Sequence, residues 1–152
     1  MPHSNTDGLL LVEKVLILKS VSIFKDTPDH ILADLAPLME EEEFEQNSII
    51  FKEGDIGDSM FIIHEGEVKI HKGGTDLAIL KDKEVFGELA LFDAEVRSAT
   101  VTANTDCILF RIDQEPFYEL IENRPEVAKG FIKILCGRLR AQNEKSVNTQ
   151  RS

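Results

Sequence analysis

The run Phe86–Gly87–Glu88–Leu89–Ala90–Leu91 is followed, after five residues, by Arg97–Ser98–Ala99–Thr100–Val101. These residue types suit anion binding. Gly87 lets backbone approach a ligand closely. The amides of Glu88, Leu89 and Ala90 would be the open donors at the start of a helical turn, where negative charge is favoured. Arg97 adds a planar cationic fork matched to phosphate oxygens, and Ser98 adds a hydroxyl. Glu88 is a fixed acceptor beside that cradle, suited to a sugar hydroxyl rather than to the phosphate. Taken singly, each residue has a plainer reading. A lone strand arginine is usually solvated or salt-bridged, and a lone glutamate caps a helix or pairs with a lysine.

The pattern around this stretch predicts the elements that position it. Leu9, Leu10, Val12, Leu16, Ile17 and Val21 recur at helical spacing, which predicts a helix from about Leu9 to Lys19. Thr27–Pro28–Asp29 reads as a helix start, Thr27 as cap and Pro28 at the first helical position, with an end near Pro37. From Glu41 to Ile112 short β-rich runs alternate with Gly, Asp and Asn. The predicted strands are Glu41–Gln46, Ile49–Phe51, Ser59–His64, Glu67–Lys72, Asp76–Lys81, Arg97–Thr102 and Cys107–Ile112, with Gly73–Gly74 as a hairpin turn. After Asp113 the helical period returns. Asp113 would cap a helix holding Phe117, Leu120 and Ile121. Pro125 would open another, apolar along Val127, Phe131, Ile134, Leu135 and Leu139 and running to about Lys145. The expected fold is mainly β with flanking helices: an antiparallel sandwich or jelly-roll-like barrel over about 41–112, N-terminal helices, and C-terminal helices over about 113–145. Residues 1–7 and 146–152 are expected to be flexible, leaving one domain over 8–145.

The chain's 152 residues suit one domain. Its net charge of −11 disfavours general nucleic-acid or anionic-membrane binding, which need a positive field. Any anionic ligand must therefore be held by local donors. Cys107 and Cys136 are too few for a disulfide framework and fit a reducing compartment. The apolar stretch Gly8–Leu18 is interrupted by Glu13 and Lys14, so neither a signal peptide nor a membrane span is predicted. The expected location is cytoplasmic.

The run F-G-E-L-A-L-x5-R-S-A-T-V resembles the phosphate-binding cassette of the cyclic nucleotide-binding domain. The stretch from Gly54–Asp55–Ile56–Gly57–Asp58–Ser59 to His64–Glu65–Gly66 is similar to that family's other glycine-marked signature. The resemblance covers about Val15 to Lys145 and implies an eight-stranded β-roll that binds cAMP or cGMP. By position, Glu88 would bind the ribose 2′-hydroxyl. Arg97 would pair with the cyclic phosphate, aided by Ser98 and the amides of Leu89 and Ala90. Phe86, Gly87 and Ala99 complete the implied ligand set. Val96 stands where many members have proline, a departure that removes no ligand contact. Ser98, in place of the threonine that often contacts guanine in cGMP-selective members, leans the choice to cAMP.

The resemblance further implies a non-enzymatic regulatory module whose last helix is both lid and output. Arg138, Gln142 and Asn143 are candidate contacts to the base, Arg138 by stacking its guanidinium. The apolar stripe of that helix could pair two subunits, and the effector domain or protein is unidentified. With no further domain expected after Lys145, direct DNA control is not expected. Gly54, Gly57 and Gly66 read as turn formers without ligand contact, and Glu40–Glu43 as a solvated face. Three alternatives stay open: a ligand-free interaction domain of the same fold, a binder of another nucleotide, and a cupin-like metalloenzyme. The last needs two histidines two apart, and the sequence has no H-x-H. His64 and His71, seven apart, would face opposite sides of a strand, and His3, His30, His64 and His71 read as structural or surface residues. No metal, cofactor or nucleophile elbow is expected.

Overall fold

The computed structural model describes residues 10–151. Helix α1 (Leu11–Ser20) and α2 (Asp29–Leu35) precede strands β1 (Glu40–Phe44), β2 (Ile49–Phe51), β3 (Ile56–Gly57), β4 (Ser59–Glu65), β5 (Val68–Lys72), β6 (Thr75–Leu80) and β7 (Val85–Phe86). Helix α3 (Leu89–Phe92), β8 (Glu95–Val96), β9 (Thr100–Ala103), β10 (Cys107–Asp113), α4 (Gln114–Asn123) and α5 (Pro125–Arg151) follow. Two four-stranded sheets, ordered β1-β10-β4-β7 and β2-β9-β5-β6, are joined by a two-stranded ribbon of β3 and β8. Every strand pair is antiparallel.

The apolar runs of β4 and β10 serve two cores, because alternate side chains point to opposite faces of a sheet. Phe61 and Ile63 from β4, with Cys107 and Leu109 from β10, join Val68, Phe86, Val101 and Ala103 between the sheets. Met60, Ile62, Phe110 and Ile112 face the other way, into a core completed by α1, α2, α4 and α5. That second core holds an aromatic cluster. Phe131 of α5 meets Phe24, Phe92 and Phe117 with ring centroids 5.6, 5.3 and 4.9 Å apart, all edge to face. Each such pair adds about 0.5–1.5 kcal/mol beyond area burial.

Several element ends differ from the sequence expectation. Helix α1 begins at Leu11, and Leu9 lies outside the described residues, as do residues 1–7, the segment expected to be flexible. Pro28 sits at the cap position in extended backbone, so α2 starts at Asp29, and no side chain caps it. Asp113 precedes α4 but does not cap it, because its carboxylate accepts from the Ser59 hydroxyl and Arg111 Nε, each at 2.7 Å. Helix α5 continues to Arg151, past the expected end near Lys145, and Ser152 lies outside the described residues. Arg97 is not in a strand: β9 starts at Thr100, and the chain before it pairs separately as β8. The turn at Gly73–Gly74 is as expected, with φ of +55° and +84°. The run Glu40–Glu43 is β1, and Arg111 opposite it pairs with Glu40 at 2.9 Å and also with Glu42.

Candidate functional site

Arg97 is the centre of the site. Its backbone is fixed at both ends of the peptide: its amide donates to the Asp55 carbonyl at 2.7 Å, and its carbonyl accepts from the Gly54 amide at 2.9 Å. The side chain then turns inward and is 7% exposed. Nη2 donates to the Ser59 carbonyl at 2.8 Å, and the guanidinium carbon lies 4.1 Å from the centre of the Phe51 ring. Nε is buried and has no hydrogen-bond partner among the described residues. Burial pulls the Arg97 guanidinium below its ordinary pKa, opposed by the carboxylates of Glu95, Asp58 and Asp55. Arginine stays charged through such shifts. A buried cation with unused donors is costly unless an anion joins it.

The space beside it is a cleft of about 190 Å³ lined by Phe86, Gly87, Glu88, Leu89, Arg97, Ser98 and Ala99, among others. Seven of the eight sequence-predicted ligand residues therefore converge there. The eighth, Ala90, is fully buried behind the cleft, and its amide donates to the Gly87 carbonyl at 3.2 Å. That bond closes the first turn of α3. The amides of Glu88 and Leu89 make no hydrogen bond among the described residues, so the open donors are those two. Gly87 has φ of +74°, a conformation that favours glycine, and an added Cβ would lie 2.8 Å from Arg97 Nη1 and 3.1 Å from the Ser59 carbonyl. Helix α3 is anchored from behind by α4. Gln114 Nε2 donates to the Ala90 carbonyl at 3.3 Å, and the Tyr118 hydroxyl donates to the Phe92 carbonyl.

Arg138 reaches the site from α5. Its Nη1 meets Glu88 Oε1 at 2.8 Å, with Glu88 16% and Arg138 46% exposed. Gln142 and Asn143 are exposed on α5 and do not line the cleft. Sequence reasoning missed Phe51, Ile70, Glu95 and Val101 in the lining. Val101 was findable, since it belongs to the same run as Arg97, Ser98 and Ala99. Phe51 gives no local signal, because its contact with Arg97 spans 46 residues. Gly57 is also misread by sequence alone. It is a buried strand residue of β3 against Arg97, not a turn former. Among the described residues no group of three or more His, Cys, Asp or Glu side chains could hold a metal ion. His64 packs on Phe110, and His71 lies 3.4 Å from the Thr102 hydroxyl. His3 lies outside the described residues.

Comparison with known proteins agrees with this fold. The sequence profile of the cyclic nucleotide-binding domain matches residues 41–124. A "CRP-like cAMP-activated global transcriptional regulator" of Mycobacterium tuberculosis is 30% identical over 132 residues, covering 84% of this chain and 59% of that protein. The cGMP-dependent protein kinase egl-4 of Caenorhabditis briggsae is 29% identical over 121 residues, covering 75% of this chain and 16% of the kinase. The chain thus spans less than two thirds of these relatives. The solved N-terminal domain of a transcriptional regulator from Streptomyces coelicolor A3(2) superposes with a TM-score of 0.79 at 32% identity, covering 86% of this chain and 94% of that one. The profile matches more than half of the chain, and the two antiparallel sheets with flanking helices are the fold shared with that solved domain: the chain belongs to the cyclic nucleotide-binding domain family.

Proposed function

We propose that this chain is a non-enzymatic regulatory module that binds a cyclic nucleotide, cAMP in preference to cGMP, at the cleft over Arg97. The observation that carries the reading is the buried Arg97 guanidinium lining that cleft, a cation whose Nε has no hydrogen-bond partner among the described residues. The ligand's cyclic phosphate would lie against Arg97, Ser98 and the open amides of Glu88 and Leu89. Glu88 would accept the ribose 2′-hydroxyl. Its Oε1 already meets Arg138, and its other oxygen has no partner among the described residues, so one carboxylate can serve both. Preference for cAMP is supported by Ser98 in place of threonine and by the cAMP-activated Mycobacterium tuberculosis relative.

Signalling through α5 is supported by two links from the cleft. Phe92, at the end of α3, packs on Phe131 of α5, and Glu88 pairs with Arg138 of α5. A ligand that moves α3 and engages Glu88 therefore biases where α5 docks, which is the differential contact a population shift requires. A homodimer through α5 is supported by Ile132 and Leu139, 57% and 60% exposed and one heptad apart. Phe131 and Ile134 of the expected stripe pack against the core instead. The unidentified effector lies in another domain or protein. The net charge of −11 disfavours nucleic acid only for these 152 residues, since one longer relative is a transcriptional regulator. No helix among the described residues is long and apolar enough to cross a membrane, which is consistent with the cytoplasmic reading.

Calorimetry against cAMP, cGMP and a cyclic dinucleotide tests the proposal. Binding of cAMP, weaker binding of cGMP and none of the dinucleotide is the expected order. Tighter cGMP than cAMP overturns the preference, and no binding of any of the three overturns the function.

A further inference from the structure

We infer that Gly57 is a positioning residue for the anion site: its missing side chain is the space that the Arg97 guanidinium occupies. The inference rests on the reading that Arg97 holds the ligand's phosphate. Glycine is usually explained by backbone conformation, and Gly54 and Gly87, at φ of +93° and +74°, have that explanation. Gly57 does not. It lies in strand β3, paired with Glu95, and its φ is not in the left-handed region. Any residue could adopt its backbone.

What excludes other residues is space. A Cβ on Gly57 would lie 2.0 Å from Arg97 Nε, 2.2 Å from Cζ and 2.7 Å from Cδ. All three are far inside any real carbon contact, so an alanine and this guanidinium cannot share the site. Arg97 cannot answer by shifting its backbone, which is bonded to Gly54 and Asp55 from both sides. Its side chain must therefore swing. That swing breaks the Nη2 bond to the Ser59 carbonyl and the stacking on Phe51, which together fix the cation at the cleft. The atoms that clash are the end of a flexible side chain, so the sheet is not forced apart. The consequence falls on the charge, not on the fold.

The test uses the whole chain and four proteins: wild type, Gly57→Ala, Arg97→Ala and the double variant. Titration calorimetry with cAMP, at concentrations high enough to follow the weak binders, should show Gly57→Ala binding at least about tenfold more weakly than wild type. In the Arg97→Ala background the same glycine substitution should change affinity by less than about twofold, because no guanidinium remains to displace. Unchanged affinity in Gly57→Ala overturns the inference. So does an equal loss in both backgrounds, which marks a merely structural glycine, and so does a Gly57→Ala protein that fails to fold. A ligand-free readout separates this from the functional reading. The Arg97 Nε–H signal in a proton–nitrogen NMR spectrum, assigned by its loss in Arg97→Lys, should move in Gly57→Ala. If wild type binds neither cAMP nor cGMP, the function is wrong and this signal alone decides the positioning role: a moved signal supports it and an unmoved one overturns it.

Discussion

Replacing Arg97 with alanine should separate binding from folding. In the unliganded protein the Arg97 side chain donates to the Ser59 carbonyl and stacks on Phe51. Losing these interactions costs about 1.5–3 kcal/mol for a charged hydrogen bond and about 0.5–2 kcal/mol for the stacking. Against that stands a cation removed from water with Nε unsatisfied, a burden of at least about 1–3 kcal/mol that alanine relieves. The terms oppose each other, and their midpoints leave a net loss of only about 1.5 kcal/mol in unliganded stability. Binding has no such compensation. With ligand present, alanine leaves the phosphate charge without its cation, and truncating one partner of a buried charged pair costs about 2–5 kcal/mol. That is a loss of about 30-fold to several thousand-fold in affinity. Calorimetry with cAMP and thermal unfolding without it measure the two sides. Unchanged affinity refutes the role of Arg97. A collapse of unliganded stability as large as the loss in binding refutes the separation, and makes Arg97 a structural ion.

The remaining tests address the residues around that cation. Glu88→Ala should weaken cAMP binding about tenfold or more, as expected for a charged acceptor, and should shrink the penalty for 2′-deoxy-cAMP; an unaltered penalty removes the 2′-hydroxyl from Glu88. Arg138→Ala breaks a half-exposed ion pair and should change stability by less than about 1 kcal/mol, yet blunt the ligand-induced change in hydrogen exchange over residues 126–144. An undiminished response would rule out the Glu88–Arg138 link as the route to α5. Deleting residues from Arg138 onward should leave a folded roll, since Val127 and Phe131 of α5 stay in the core, with weaker cAMP binding; equal binding refutes the lid role. Cys107 is buried, and burial pushes its thiol pKa up. Its thiolate fraction at pH 8 is therefore below that of an ordinary thiol, so iodoacetamide should label the less buried Cys136 first, with Cys107 following only at higher pH; mass spectrometry showing the reverse order contradicts that environment.

The sequence was legible where one element writes its own period. Strands β4, β5 and β10 and helices α4 and α5 are long enough to show an apolar run, alternation or a helical stripe, and each starts within a residue of where the pattern puts it, although α5 runs on to Arg151. The two-residue strands β3, β7 and β8 show none, because two residues define no period. Their existence depends on pairing across the chain: Ile56 opposite Val96, and Phe61 opposite Phe86. The same limit shifted Arg97 into a predicted strand. Its apolar neighbours fit a strand, but its backbone is pinned to Gly54 and Asp55, which no local window contains.

The site divides in the same way. Which residues line the cleft could be read from one motif, since Phe86, Gly87, Glu88, Leu89, Arg97, Ser98 and Ala99 all reach it. How those residues are held could not. Ala90 looked like a donor because it follows Glu88 and Leu89, yet a turn of helix satisfies its amide first. Arg138, a candidate base contact by its place on the last helix, pairs among the described residues with Glu88, a partner that no local window names. Gly57 looked like a turn because glycines usually are, whereas its use is the room it leaves. In each case the sequence gives the group and the fold decides which neighbour competes for it. An arginine, a carboxylate and a few amides can hold an anion only where the fold leaves some of them unsatisfied, and at the proposed site the groups without a partner among the described residues are Arg97 Nε and the amides of Glu88 and Leu89.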